Sequence, residues 1–470
     1  MRLQAYSGRP TPVVDDNELN PDNRLSHMDQ AMFLTQRATG RNAIVQCVWV
    51  YQHPVDLAAL RRFHRSLGLG LLGRRIERSP LPFARARWVS DRGPVDIDIA
   101  RRARPRAELS DWLDDRGRLP VDAERGPGWH LGVLPLIDGS TAMTLVASHC
   151  LVDGLGIIGA VADAAADTTC ALGYPPPRSR PRLRALVQDA RQTVQGMPEI
   201  RRVIAEAVRT ARIQRAQTSS ISAPPLRPIR SRGAGRHESV IVPAVAIHVD
   251  LDEWDRCAED RGGTSHHLAA GFAAKLAERL GRRRTVDGAV TLQIPLSGRI
   301  EGDTRANTLS FVSVSIDPTR VTSDLSDART VIRRTFEKLR QAPEQVSPLL
   351  PLAPLAPFVP KPVLKHLTEA AFCYTDLPVA LSSMGEVPPI AGRPDGSEAE
   401  YVFGRGMIQR VMRRDLERAQ GELALFLLRG CGQMCITVTA YRPGGRNTKS
   451  ELRDLVAGTL AEFGLRGVIE

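Results

Sequence analysis

The chain has 470 residues, 42% of them hydrophobic and 25% charged, with a formal net charge of +12. That is apolar content for a large core and length for two or three domain-sized units. No apolar run reaches the 18 or more residues of a spanning helix, and the first residues lack the apolar stretch of a secretory signal. A cytoplasmic protein is therefore expected, with the inner membrane surface as its one peripheral contact.

The first 23 residues are polar and read as a loose N-terminus. Residues 26–37 read as a helix capped by Ser26, with Asp29 in its first turn. The β-branched and aromatic run 42–52 reads as a strand, and 56–70 as a helix capped by Asp56. A short strand at 84–91 and a helix at 111–120 follow. Residues 129–137 and 141–150, joined by the turn Asp138–Gly139, read as a β-hairpin. A helix of small residues is expected over 154–173.

Residues 173–238 read as a crossover between two lobes. They carry most of the excess charge: from Arg178 to Arg232 there are thirteen arginines, no lysine and three acids. Such a segment suits anionic partners, namely acidic proteins, phosphates or anionic lipid. Nucleic acid is not expected, since no aromatic residue falls between Tyr174 and Trp254 to stack a base.

The second lobe, 239–470, opens with a strand at 239–250. Two helices follow over 251–281, the second capped by Thr264 or Ser265. Strands are expected at 289–299 and 307–317, and an amphipathic helix at 327–341. The proline-punctuated stretch 347–367 cannot be one regular helix; packing against the body, a channel lining and a membrane contact all suit it. A hairpin at 421–441 and a helix at 448–465 close the chain. The seven cysteines are odd in number and widely spaced, which suits reduced thiols. The close pair Cys431 and Cys435 reads as core, and no metal site is expected.

The stretch TLVASHCLVDGLGII (144–158) concentrates the chemistry. His149 ends a hydrophobic strand, and Asp153 and Gly154 sit in the turn into the next helix. A scaffold presents reactive groups at such places. A neutral imidazole there can take a proton from a hydroxyl or amine as it attacks a carbonyl. Asp153 is better placed to pair with a distant arginine than to touch substrate, and Gly154 permits a tight helix entry.

HCLVDG resembles the H-H-x-x-x-D-G motif of the acyltransferase superfamily with the chloramphenicol-acetyltransferase-like fold. That superfamily includes condensation domains of nonribosomal peptide synthetases and the bacterial wax ester synthase/diacylglycerol acyltransferase family. Other stretches resemble the latter in its order: RLSHMDQAMFL, LPVDAERGPGWHLGVLPLIDG, AEDRGGTSHHLAAGFAAKLAERL, IPLSGR, RANTLSF and CYTDLPVALSSMGEVPPIAG. Together they span about residues 24–465.

The resemblance implies an α/β fold of mixed sheets: two chloramphenicol-acetyltransferase-like lobes, 24–172 and 239–470, with an active-site tunnel between them. It implies acyl transfer from a thioester, acyl-CoA or an acidic acyl carrier protein, to a small-molecule alcohol or amine in lipid or secondary-metabolite biosynthesis. The donor is a substrate, and no cofactor is implied. His149 falls on the catalytic histidine, Asp153 on the structural aspartate and Gly154 on its glycine. Arg299 is the candidate partner of Asp153. Asn307 falls on an asparagine that fixes backbone, and Ser382 or Ser383 is a candidate oxyanion donor. The chain departs from the pattern at Ser148, where the first histidine of the pair stands, and at His266, His267, Asp376, Val379 and Ala380. Ser148 is kept as a candidate substrate contact. The alternative reading is a condensation-like lobe that binds without turnover.

Overall fold

The computed structural model describes residues 23–218, 238–341, 350–371 and 376–470. The loose N-terminus expected over 1–23, all but its last residue, and the Ser/Pro/Arg-rich part of the crossover (219–237) lie outside the described residues. So do 342–349 and 372–375.

Hydrophobic periodicity builds the elements in turn. The first half contains α1 (His27–Thr39), β1 (Asn42–Tyr51), α2 (Leu57–Leu67), β2 (Arg74–Glu77), β3 (Arg87–Ser90), β4 (Asp98–Ile99), α3 (Leu109–Arg118), β5 (Trp129–Pro135), β6 (Thr141–Ser148) and α4 (Gly154–Ala165). α5 (Arg182–Thr218) crosses to the second half. There follow β7 (Ala244–Asp250), α6 (Leu251–Asp260), α7 (Ser265–Arg279), β8 (Val290–Ser297), β9 (Leu309–Ile316), α8 (Ser326–Gln341), α9 (Lys361–Ala371), β10 (Val379–Glu386), β11 (Tyr401–Gln409), α10 (Arg413–Arg418), β12 (Glu422–Gly430), β13 (Gln433–Tyr441), α11 (Lys449–Glu462) and β14 (Val468–Ile469).

These form two large mixed sheets with helices against them, and a separate two-stranded ribbon of β2 and β3. One large sheet runs in the order β11-β1-β6-β5-β4 and the other β14-β7-β13-β12-β10-β8-β9. Each has its own large hydrophobic core. Every residue of β6 is buried, as a central strand covered on both faces requires. At about 1.5–3 kcal/mol per fully buried large apolar side chain, its Met143, Leu145 and Val146 hold the strand end firmly.

Several elements differ from their sequence reading. α4 stops at Ala165 instead of 173, because Asp167 adopts a left-handed conformation (φ 54°) and the Thr168 N–H turns back to Asp163 O. Only Ala244–Asp250 of 239–250 is a sheet strand. β11, in the stretch assigned to the second lobe, pairs antiparallel with β1 and so forms an edge of the first lobe's sheet. The described part of the crossover is largely helical. α5 is pinned to the first lobe by buried Asp189, which accepts from Ser79 Oγ (2.6 Å), Arg180 (2.8 Å) and Arg87 (3.0 Å). The proline-rich stretch contributes a 3-10 segment, Leu350–Phe358, packed on α1 and α5, with Phe358 stacked on Phe83. Among the described residues no helix is long and apolar enough to cross a membrane.

Candidate active site

The site lies where loops of the two lobes meet. The first lobe supplies α1 and the turn between β6 and α4. The second supplies the loop 298–308 between β8 and β9, whose base is closed by the Gly298 N–H donating to Thr308 O at 2.7 Å.

His149 follows the last residue of β6, and its backbone N–H donates to Ala43 O at 2.8 Å. Its imidazole Nδ1 is 2.8 Å from Asn307 Oδ1. The Asn307 amide orientation is fixed independently, because Nδ2 donates to His149 O at 3.0 Å and to Asp29 Oδ1 at 3.3 Å. An amide nitrogen only donates, so Oδ1 must be the atom facing the ring. Nδ1 therefore carries the proton that Oδ1 accepts. In the neutral imidazole this leaves the lone pair on Nε2, which has no hydrogen-bond partner among the described residues.

Asp29 is buried and holds this arrangement from behind. Its carboxylate accepts the Asn307 N–H at 2.8 Å and the Ala306 N–H at 3.1 Å. The sequence reading placed Asp29 only in the first turn of α1. Its signal was the LSHMDQAMFL stretch, but nothing local says that its carboxylate reaches residue 307.

Asp153, with no exposed surface, is the N-cap of α4. Oδ1 accepts the Gly156 N–H at 2.8 Å and lies 2.9 Å from Arg299 Nη2, while Oδ2 accepts the Thr308 N–H at 3.2 Å. Arg299 also donates to the carbonyls of Asp303, Arg305 and Ala306 at 3.0–3.1 Å. The pair thus stitches the motif turn to the second lobe's loop. Arg74, which the sequence reading missed, adds another stitch. Buried over the Trp88 ring, its guanidinium donates to Leu151 O at 2.9 Å and to Thr304 O. Nothing in the RRIE strand marks that arginine as different from its neighbours.

Gly154 opens α4 against β10: a Cβ there would sit 2.6 Å from Met384 Sδ and 3.8 Å from Phe426. Close approach, not an unusual backbone angle, is what this glycine allows. It also lines a narrow apolar cleft with Trp49, Ile157, Phe403 and Phe426.

Ser148 is turned into the fold. Its buried hydroxyl donates to Asn42 Oδ1 at 3.2 Å, and Asn42 in turn holds Val121 O and Gln409. That packing corrects its candidacy as a substrate contact. Ser382 is half-buried and Ser383 exposed on β10, two and one residues before Met384, and neither bonds to the His149 cluster among the described residues.

Other candidate nucleophiles are muted. Burial pushes the Cys150 thiol up to about 12, and it donates to Gln36. Cys435 lies 3.2 Å from His248 Nδ1; burial raises the thiol and pulls the imidazole down to about 3, so the pair is neutral core. His267 accepts the Thr264 N–H at 3.1 Å and so caps α7.

The sequence matches no family profile and no curated protein. Its structure matches several solved ones. The first condensation domain of the CDA synthetase superposes with a TM-score of 0.56 at 13% identity, covering 95% of this chain and 97% of that one. The chain has the condensation-domain fold. The wax ester synthase/diacylglycerol acyltransferase from Marinobacter aquaeolei VT8 shares it, with a TM-score of 0.54, 16% identity and coverage of 94% and 98%. So does polyketide synthase associated protein 5 from Mycobacterium tuberculosis, at 0.51, 15%, 93% and 97%. In this condensation-domain fold the two lobes and mixed sheets expected from the sequence are present.

Proposed function

We propose that the protein is an acyltransferase that moves an acyl group from a thioester to a hydroxyl or amine, with His149 as general base. The observation that carries this reading is the fixed tautomer of His149. Asn307 holds Nδ1–H, and the basic Nε2 is left for a substrate proton.

In the proposed step Nε2 takes the proton of the acceptor O–H or N–H as that atom attacks the thioester carbonyl. The tetrahedral adduct collapses with cleavage of the C–S bond, and the leaving sulfur takes the proton back from Nε2. The products are an ester or amide and a free thiol. Asp153, Arg299 and Asn307 hold the ring and its turn and do not exchange protons with substrate. Substrates would approach through a tunnel between the lobes, with the apolar cleft beside Gly154 suited to part of an acyl chain. Ser382 or Ser383 is the proposed oxyanion donor. The donor is acyl-CoA or an acyl carrier protein, either of which suits a chain of net charge +12. No resident cofactor enters the step. Peripheral contact with anionic lipid would fall to the arginines of α5.

The test is thiol release from a panel of acyl-CoA donors with pooled alcohols and amines, followed by the same panel loaded on a carrier protein. Mass spectrometry then identifies the product. An acceptor-dependent ester or amide supports the reading and names the acceptor class. Failure of both donor panels overturns it in favour of a binding lobe.

A further inference from the structure

A cavity of about 370 Å3 lies at the lobe junction, along the edge of β11 that faces away from β1. Its walls include the end of α3, the backbone of 405–411, residues 239–242 and the starts of β7 and β12. The register places it beside the catalytic end of the sheet. Met407 pairs with Ile44, and Ile44 with Ser148, so the cavity edge is two strands from the residue before His149. Two strand spacings amount to about 10 Å.

Three arginines line it: Arg118, Arg405 and Arg410. Arg405 is 5% exposed. Its Nε donates to Gln46 and its Nη1 to Asp114, both at 2.7 Å, while Nη2 is enclosed and has no hydrogen-bond partner among the described residues. Arg410 is exposed, held at φ 60°, and makes no ion pair among the described residues. Among the described residues Arg118 pairs with Asp115 alone, at 3.7 Å. The one carboxyl in the wall, Glu422, offsets this charge weakly, because burial favours its neutral form.

We infer that this cavity binds the oxyanion group of a small molecule, a phosphate or a carboxylate, held by Arg410 and Arg118 at its mouth, with the positive charge of Arg405 in its wall. Its three arginines separate it from the cleft beside Gly154, whose lining has no charged side chain. Guanidinium forks match both oxyanions in two-point geometry.

Isothermal titration of the full chain with inorganic pyrophosphate, and separately with tricarballylate, tests this. Saturable one-site binding of either probe is expected, and the tighter probe names the oxyanion. Arg410→Glu, at an exposed position, should weaken binding about tenfold or more, while Arg410→Lys keeps most of it. His149→Ala should bind as wild type, so the result stands apart from the transferase reading. Arg191→Glu with Arg202→Glu on α5 should also bind as wild type. Absence of saturable binding by both probes, an unaffected Arg410→Glu variant, or an equal loss in the α5 variant would each overturn the inference.

Discussion

Two buried ion networks cross between the lobes, and they differ in what their arginine is bonded to. Around Asp153 and Arg299, both carboxylate oxygens and both terminal guanidinium nitrogens meet protein partners, most of them backbone. Around Asp114, Arg405 and Lys449, the carboxylate is shared by two cations, and the Arg405 guanidinium bonds side chains, those of Gln46 and Asp114. Each arginine keeps one enclosed nitrogen with no partner among the described residues, Nε in Arg299 and Nη2 in Arg405. Bonds to backbone fix a loop in one position, whereas bonds between side chains hold only the side chains. The first network therefore reads as the frame that aims His149, and the second as a brace between α3, β11 and α11.

The largest expected effect separates frame from chemistry. His149→Ala should lower acyl transfer by about 10²- to 10⁴-fold with no loss of folding stability, since its ring makes one side-chain bond. The frame comes next. Arg299→Leu strands the buried Asp153 carboxylate and should cost about 3–5 kcal/mol in urea unfolding. Arg405→Leu leaves Asp114 with Lys449 at 2.6 Å and should cost less, about 1–3 kcal/mol. Equal losses would remove the distinction between the networks.

Acid should loosen both lobes through histidines that are not in either network. Burial holds His248 at about 3, and burial together with the Arg116 charge holds His130 at about 4, both below the unfolded value of 6.5. The unfolded chain binds these protons first, so stability is lost as pH falls from about 6.5. The slope is at most about 1.4 kcal/mol per pH unit for each histidine, ending near its folded value. Urea midpoints between pH 7 and pH 4 measure it, and a shallower profile in the His248→Gln, His130→Gln double variant is the expected control.

Asn307→Ala frees the ring to change tautomer. It should lower kcat by about tenfold, or about 1.4 kcal/mol, while KM changes little. The smallest effect is expected at Gly156, where a Cβ would sit 3.0 Å from both Asp153 Oδ1 and Arg299 Nη2. Gly156→Ala should cost about 1 kcal/mol, since the strain of pressing on that pair is partly offset by alanine's helix propensity, read from its thermal midpoint.

The local part of this site was legible. A hydrophobic run ending in histidine, followed by an aspartate and a glycine, reads as a strand end and helix entry, and His149, Asp153 and Gly154 stand there. What the residues alone do not disclose is pairing at a distance. Arg299 and Asn307 lie some 150 positions downstream and were reached only through resemblance. The carboxylate of Asp29 looks like any acidic first-turn residue until the loop 298–308 is laid over it. β11 (YVFGRGMIQ) lacks the alternation of a half-buried strand, and nothing in it says which sheet it joins, since strand pairing is set by the fold as a whole. Ser148 stands where the motif has its first histidine and was kept as a substrate contact for that reason, but its hydroxyl is turned to Asn42 inside the fold, as successive residues of a strand face opposite sides.

The central claim is that His149 carries the chemistry while Asn307 sets its basic nitrogen. Single-turnover acyl transfer with the productive donor and acceptor, compared among wild type, His149→Ala and Asn307→Ala at matched folded content, tests it most directly. The account predicts product from wild type, a reduced rate from Asn307→Ala and none above background from His149→Ala. Product formed by His149→Ala at the wild-type rate would contradict it.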